Sequence, residues 1–371
     1  MAVLIRLIPV AATLAASSAC TLYWDDPDPG SVPNPQPGVG LELPCLHEVV
    51  GGQIVDGTAE EMMVFYACDG GPIVATVNLE NGELVEHDPR ADYAAQYRHA
   101  RLIPGEFGLQ DVLATSNNGF DAGIFFRNGW QSAQYHRVFA DVTGGVLDPL
   151  GKRLVAAGDG ALRLASRGEF QNTTYPYDIN DNEADIATGR DFVRVAMADL
   201  GGNADDDLFF LARTANGIEL GAALQTASSP PTFAVETLTM HAGATPQPLL
   251  TGDVDGDGVP DVIGALPDVF VRGSRTGQIA FLGEDAAHVA IGDLDGDGLD
   301  EPVFVTADGL SIRRVTVDVT NASIVLSSDP WLPQRAEGLV VADLDDDTHD
   351  DIIVLRDRAR AASRLVFFPS P

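Results

Sequence analysis

The stretch GDVDGDGVPDVIGA (residues 252–265) and its second copy GDLDGDGLDEPVFV (residues 292–305) decide how this chain folds. In each copy, aspartates stand at alternate positions, a glycine that permits a sharp turn follows, and a further carboxylate comes four residues after the third aspartate. Carboxylates this close repel one another unless a cation lies among them. Dense oxygen donors favour calcium over zinc or copper. The sequence therefore predicts two calcium sites, with the ligands Asp253, Asp255, Asp257 and Asp261 in the first and Asp293, Asp295, Asp297 and Glu301 in the second.

Two other stretches repeat this pattern with losses. ADLDDDTHDDIIVL (residues 342–355) has Thr348 where the glycine stood, and we expect the ring of its His349 to face water. ADLGGNADDDLFFL (residues 198–211) has Gly201 in place of one carboxylate. A solvated acidic turn without an ion is the alternative for every copy. The predicted ligands are Asp343, Asp345, Asp347 and Asp351 in the third loop and, more weakly, Asp199, Asn203 and Asp207 in the fourth.

The loops differ from an EF-hand. That loop ends in a bidentate glutamate at its twelfth position and lies between two helices. Here the twelfth position is Gly264, Phe304 or Val354, and the flanking segments are short, apolar and rich in β-branched residues, which predicts strands. Each loop is therefore predicted to connect the two strands of a β-hairpin.

The spacing of the repeats predicts an all-β fold, a seven-bladed β-propeller. Apolar runs follow the loops from residues 207, 261, 301 and 351, and related runs begin at 61, 111 and 153. The mean period of about 48 residues is typical of four-stranded propeller blades. The last unit has room for only three strands before Pro371. We expect the N-terminal segment around VGLELP (residues 39–44) to supply the missing strand and close the ring.

The loops, D-x-D-G-D-G-x-x-D between two strands, resemble the FG-GAP/VCBS repeats of integrin-alpha-type propellers, over residues 41–371. The resemblance implies that the first aspartate follows the innermost strand of a blade, that the last opens the second strand, and that the ions line one rim. The early units depart from the pattern, because their acidic residues are too few or wrongly spaced, and no metal is assigned to Glu106, Asp111, Asp141 or Asp148.

The N-terminus predicts export. Residues 1–19 combine a basic residue, an apolar stretch and small residues before Cys20, which is typical of a secretory signal and resembles a bacterial lipobox. Cys20 is the predicted lipidation site, and residues 20–40 are a Pro-rich tether to a membrane of the cell envelope or surface. Cys45 and Cys68 then remain as an even pair, for which we predict a disulfide worth about 3 kcal/mol.

The net charge of −33 argues against nucleic acid and anionic lipid headgroups as partners. The sequence contains no G-x-S-x-G, H-E-x-x-H, P-loop or C-x-x-C pattern. It therefore favours a monomeric binding or adhesion module for a protein or glycan, attached to the membrane through its lipid alone. Two alternatives stay open. One is a polysaccharide-active hydrolase or lyase with paired carboxylates about 5 to 9.5 Å apart. The other is a structural component of an envelope complex, with an apolar patch on one rim.

Overall fold

The computed structural model describes most of the chain from residue 21 to residue 368, with gaps. The described ranges are 21–24, 39–43, 45–52, 54, 61–68, 71–78, 83–87, 97–104, 110–116, 121–126, 129–134, 140–148, 151–158, 160–165, 184–199, 206–228, 231–243, 245–320, 323–343, 348–357 and 363–368. The predicted signal sequence and Cys20 lie outside them.

The described residues form strands and no helix, so the prediction of an all-β fold is confirmed. In the first half of the chain, the strands are β1 (Thr21–Trp24), β2 (Val39–Leu43), β3 (Leu46–Gly52), β4 (Glu61–Cys68), β5 (Gly71–Asn78), β6 (Glu83–His87), β7 (Tyr97–Pro104), β8 (Gln110–Ser116), β9 (Asp121–Phe126), β10 (Gly129–Gln134), β11 (Asp141–Asp148), β12 (Gly151–Gly158), β13 (Ala161–Ala165) and β14 (Ala184–Thr188). In the second half, they are β15 (Asp191–Ala198), β16 (Asp207–Thr214), β17 (Gly217–Ser228), β18 (Pro231–His241), β19 (Leu250–Gly252), β20 (Asp261–Ala265), β21 (Asp268–Arg272), β22 (Ile279–Gly292), β23 (Glu301–Thr306), β24 (Ile312–Thr320), β25 (Ser323–Leu332), β26 (Gly338–Ala342), β27 (Asp351–Arg356) and β28 (Ser363–Phe368).

Most strands pair with the next strand in the chain, antiparallel. Four sheets each contain four consecutive strands: β3–β6, β7–β10, β11–β14 and β15–β18. A seven-stranded sheet runs from β19 to β25. Its long strand β22 pairs with β21 through its N-terminal half and with β23 through residues 286–292. This sheet therefore contains two ladders of four strands that share β22.

The last sheet combines both ends of the described chain. Strands β26, β27 and β28 are followed by β2 and then β1. Strand β2, from the segment VGLELP, pairs antiparallel with β28, with Gly40 opposite Val366 and Leu43 opposite Ser363. The N-terminal segment thus supplies the expected strand to the C-terminal unit. Strand β1 lies inside the segment predicted as a tether and pairs with β2, a pairing that the proline content of this segment did not predict.

Apolar runs form the second strand of each ladder because they are buried on both faces. Every residue of β20 is buried, and so are the first five of β27. Such strands favour continuous β-branched and aromatic sequence over alternation. The core lies between neighbouring sheets: Phe209 of β16 and Phe270 of β21 share one cluster, and Val64 of β4 and Ile353 of β27 share another.

The first strands of the ladders contact one another in chain order. Contacts join β3 to β7, β7 to β11, β11 to β15, β15 to β19, β19 to β22 and β22 to β26, and β26 also contacts β3. A buried ion pair ties three of them together. Arg101 of β7 binds the carboxylate of Asp141 at 2.6 Å and donates to the Val195 carbonyl of β15 at 2.7 Å. Asp141, to which the sequence assigned no metal, therefore has a guanidinium as its cation.

The two remaining cysteines lie at one end of a strand pair. Leu46 of β3 stands opposite Tyr66 of β4, so Cys45, just before β3, is close in register to Cys68 at the end of β4. The side chain of Cys68 is outside the described part, and the disulfide stays a prediction. In the described ranges, no helix has the length and apolar composition needed to cross a membrane.

Candidate functional site

All four acidic loops connect the first strand of a ladder to its second. Strands β15, β19, β22 and β26 end at residues 198, 252, 292 and 342, immediately before the first aspartate of each loop. Strands β16, β20, β23 and β27 begin at its last carboxylate. The repeated connection places each loop at the same end of its ladder.

In the first loop, three of the four predicted ligands converge. Oxygens of Asp253, Asp255 and Asp261 lie within 4.8 Å of one another. Calcium binds oxygen at about 2.3 to 2.6 Å, so ligands on opposite sides of one ion are about 5 Å apart, and the group has the size of a single site. Asp257 is not in this group, and its carboxylate pairs with Arg275 at 3.3 Å.

The backbone of the first loop folds around one carboxylate. Asp253 accepts N–H bonds through Oδ1 from Gly256 at 2.9 Å and Asp257 at 3.2 Å, and through Oδ2 from Gly258 at 2.9 Å. The two glycines have φ of +76° and +78°, in the left-handed region that a side chain disfavours. The sequence pattern of alternating aspartate and glycine is thus a folding requirement of the turn.

The charges of this loop oppose one another. Burial, together with the negative charges of Asp255 and Asp257, raises the pKa of Asp261 to about 6, although the N–H bonds donated by Ser274 and Val254 oppose this rise. Burial and the charge of Asp257 also raise the pKa of Asp255. A bound cation would remove both repulsion and desolvation cost, which is the electrostatic property expected of an ion site.

The second loop groups its three aspartates but not its glutamate. Oxygens of Asp293, Asp295 and Asp297 lie within 4.8 Å of one another. Glu301 instead accepts the Leu294 N–H at 2.8 Å and a bond from Arg314 at 2.7 Å.

The Arg314 guanidinium supplies a positive charge beside the second loop. Its Nη2 atom lies 2.6 Å from Asp295 Oδ2 and 2.7 Å from Glu301 Oε1. Its Cζ atom lies over the Trp331 ring, 5.5 Å from the ring centroid. The carboxylates that the sequence assigned to a cation therefore do face a cation, which comes from strand β24.

The third loop keeps the turn without its glycine. Thr348 has φ of +74°, close to the +78° of Gly258 and the +87° of Gly298 at the corresponding positions. Its N–H donates to Asp343 Oδ2 at 3.0 Å, as the corresponding glycines donate to Asp253 and Asp293. Asp351 is buried at the start of β27. The other predicted ligands, Asp345 and Asp347, lie outside the described residues.

The fourth loop is described only at its two ends. Asp199 follows β15, and Asp207 begins β16 with its Oδ1 accepting the Gln225 N–H at 2.6 Å. Asn203 lies outside the described residues. Ion binding at this loop stays a prediction.

Sequence reasoning missed the residues that connect one loop to the next. Asp300 and Asp350, one position before the last carboxylate of their loops, both bind the backbone of a neighbouring loop. The prediction that His349 faces water is wrong, because its ring is partly buried against Gly296 of the second loop. An aspartate recurring at this position in two copies was the available signal.

The donor sets of the first two loops fit calcium. All grouped donors are carboxylate oxygens, which suit a hard divalent cation and are poor ligands for softer metals. In the first loop, backbone N–H groups donate to all three grouped carboxylates, which holds them in place. An ion in the second loop would have to replace the Arg314 guanidinium at Asp295.

No protein-family model and no curated protein matches this chain. A crystal structure of BBS1N in complex with ARL6DN, soaked with lead, matches 88% of this chain and 93% of that chain, with a TM-score of 0.56 and 12% sequence identity. BBS1N is a β-propeller. At this identity the match shows the fold alone, a β-propeller-like all-β fold, and the resemblance of the loops to FG-GAP/VCBS repeats stays a prediction.

Proposed function

We propose that this chain is an exported, lipid-anchored, calcium-stabilised propeller that acts as a binding or adhesion module at the cell surface. The observation that carries the proposal is the presence of two groups of three carboxylates, one beginning at Asp253 and one at Asp293. In each group the oxygens lie within 4.8 Å of one another, and each group lies in the loop between the first and second strands of its ladder. A calcium ion in each would fix the rim of the propeller. Such a rim presents the connecting loops as a rigid surface for a protein or glycan.

The seven-bladed ring is part of this proposal. Its support is the series of contacts between first strands, which returns from β26 to β3, and the two ladders that share β22. The pairing of β2 with β28 supports closure by the N-terminal segment, because it covers an edge that would otherwise expose unpaired backbone groups. Leu43 of β2 is fully buried, which anchors this closing strand in the core.

Of the two alternatives, neither has a specific observation in its favour. A glycosidase requires two carboxylates that can exchange protons with a substrate. The buried carboxylate of Asp141 is bound to the Arg101 guanidinium at 2.6 Å and is therefore not available to a substrate. An envelope-complex component requires a sizeable apolar patch. The large apolar side chains that the described residues expose are Met240, Phe281, Leu310, Val319 and Val325, and of these only Val319 and Val325 are on the directly paired strands β24 and β25.

The proposed location rests on the first 40 residues. The export signal and Cys20 predict a lipid anchor, and the net charge of −33 opposes direct contact with anionic headgroups. Wild-type protein should fractionate with membranes, and Cys20→Ser should be released or left unprocessed. Equal membrane partitioning of the two forms would reject the anchor.

The binding function is tested on protein from residue 21 onward, immobilised and presented with glycan arrays and envelope-protein extracts in calcium or in chelator. We expect calcium-dependent retention of one ligand class, lost in Asp255→Ala. Degradation of a polysaccharide on the array would favour the enzyme instead. An absence of retention on every array, together with unchanged adhesion of cells that lack the protein, would reject the adhesion module.

A further inference from the structure

Two aspartates hold the acidic loop of the preceding ladder through its backbone. Asp300 Oδ2 accepts the Asp253 N–H at 3.0 Å, and the Asp300 N–H donates to the Asp253 carbonyl at 3.0 Å. Asp350 repeats this on Asp293, with distances of 2.8 Å and 2.7 Å. We call each pair of hydrogen bonds a clamp. The clamped residue is in both cases the first aspartate of a converging carboxylate group.

The clamp explains the glycine before the first aspartate. A Cβ atom on Gly252 would lie 2.3 Å from Asp300 Oδ2, and one on Gly292 would lie 2.3 Å from Asp350 Oδ2. Both distances are too short for any side chain. In the fourth loop, alanine precedes the first aspartate, and the clamp position of the next loop is Pro260, which has neither a carboxylate nor an N–H. Glycine therefore occurs in the two places where a clamp closes.

A side chain beside each clamp packs on the same preceding loop. Leu299 would lie 3.3 Å from a Cβ on Gly256, and the His349 ring lies directly against Gly296. These two glycines have φ of +76° and +72°. Each directly follows the second aspartate of its carboxylate group, where the chain turns towards the third. Each loop is thus held at its first ligand by hydrogen bonds and at its turn by van der Waals contact.

The aspartates that form the clamps, Asp300 and Asp350, are not members of the converging carboxylate groups. Asp300 lies in the second loop but acts on the first, and Asp350 lies in the third loop but acts on the second. An ion site depends on ligands held to within a fraction of an ångström, and the groups that orient them change affinity about 10- to 100-fold in known metal sites. The position of Asp253 relative to Asp261 is therefore set in part by the neighbouring ladder.

We propose that Asp300 and Asp350 are positioning residues for calcium: each fixes the first ligand of the loop in the preceding ladder, so that the ion affinity of that loop depends on its neighbour. This inference rests on the proposed calcium function. The proposed dependence has a direction: the third loop affects ion binding at the second, and the second loop affects ion binding at the first. A hydrogen bond that served only to join ladders would give no such direction.

The test is hydrogen–deuterium exchange on the full mature chain, in chelator and at about 1 mM calcium. The variants are Asp300→Ala, Asp350→Ala and, as a control of equal charge change on the exposed end of β24, Asp318→Ala. In Asp300→Ala, we expect calcium-induced protection of residues 252–261 to fall about tenfold while that of residues 292–301 persists. In Asp350→Ala, the loss should fall on residues 292–301. Asp300→Asn, which keeps one acceptor oxygen, should restore most of the protection of residues 252–261.

Loss of protection in the loop that carries the substitution, with the preceding loop unchanged, would overturn the proposal. Equal loss in both loops would overturn it as well, because it indicates general destabilisation. If Asp300→Ala does not fold, the Asp350 variant applies the same criterion to an independent clamp. If wild type gains no protection from calcium, the proposed calcium function fails, and the clamp is then judged in chelator. Exchange of the Asp253 amide should be faster in Asp300→Ala than in wild type or Asp300→Asn, and unchanged exchange in Asp300→Ala would reject the clamp.

Discussion

Removal of calcium should lower the melting temperature by an amount that the two carboxylate groups determine. Calcium binds extracellular modules with Kd of about 10⁻⁴ to 10⁻³ M, so at about 1 mM free ion each group adds roughly 0.4 to 1.4 kcal/mol to the free energy of unfolding. Two groups add about 0.8 to 2.8 kcal/mol. With an unfolding entropy of about 2.1 cal/mol/K per residue over about 330 residues, the expected loss in chelator is about 1 to 4 °C.

Differential scanning calorimetry of wild type, Asp255→Ala and Asp295→Ala measures this shift. Each substitution removes one ligand from one group, so each should reduce the calcium-dependent shift by about half. Asp318→Ala, outside the loops, should leave the shift intact. In chelator, Asp255→Ala should melt no lower than wild type, since it removes a carboxylate whose pKa burial and Asp257 already raise. An unmoved wild-type melt, with no calcium binding by calorimetry, would mean that the loops are solvated turns.

Thr348→Gly should raise the free energy of unfolding by about 1 kcal/mol, measured by denaturant titration, because a β-branched residue at φ of +74° is strained; a decrease would show that the threonine side chain compensates. The chelated protein should melt lower at pH 7 than at pH 5, and calcium should suppress the fall. Because the pKa of Asp261 is higher in the folded protein, its protonated form contributes stability that is fully present below about pH 3.8 and is lost as the pH rises through about 6. A melting temperature that rises from pH 5 to pH 7 would refute the raised pKa of Asp261. A chain starting at residue 45 should lose about 1.5 to 3 kcal/mol relative to one starting at residue 37, because it lacks β2 with the buried Leu43; equal stabilities would exclude closure by this strand. Peptide mapping without reductant should find Cys45 linked to Cys68, and free thiols at both would remove the predicted crosslink of about 3 kcal/mol.

The local features of this protein were predictable from sequence because they depend on short segments. Continuous apolar, β-branched runs after an acidic turn favour strands whatever surrounds them. The runs beginning at 207, 261, 301 and 351 accordingly form β16, β20, β23 and β27. The missing strand of the last unit also followed from counting, and β2 supplies it.

Tertiary structure alone decided which carboxylates converge. Spacing placed Asp257 and Glu301 among the ligands, but neither converges with its group. Arg275, in the turn after β21, contacts Asp257, and Arg314 of β24 contacts Glu301. No rule of spacing along a loop identifies a guanidinium that comes from outside it.

The clamps are long-range contacts in the same sense. Asp300 and Asp253 are separated by 47 residues and Asp350 and Asp293 by 57, so their pairing depends on how one ladder packs against the next. The sequence determined that each loop would be acidic and tightly turned, because those are properties of a few adjacent residues. The packing of neighbouring ladders determined how the loops are joined, because a hydrogen bond between them forms only when the sheets bring their backbones within 3 Å.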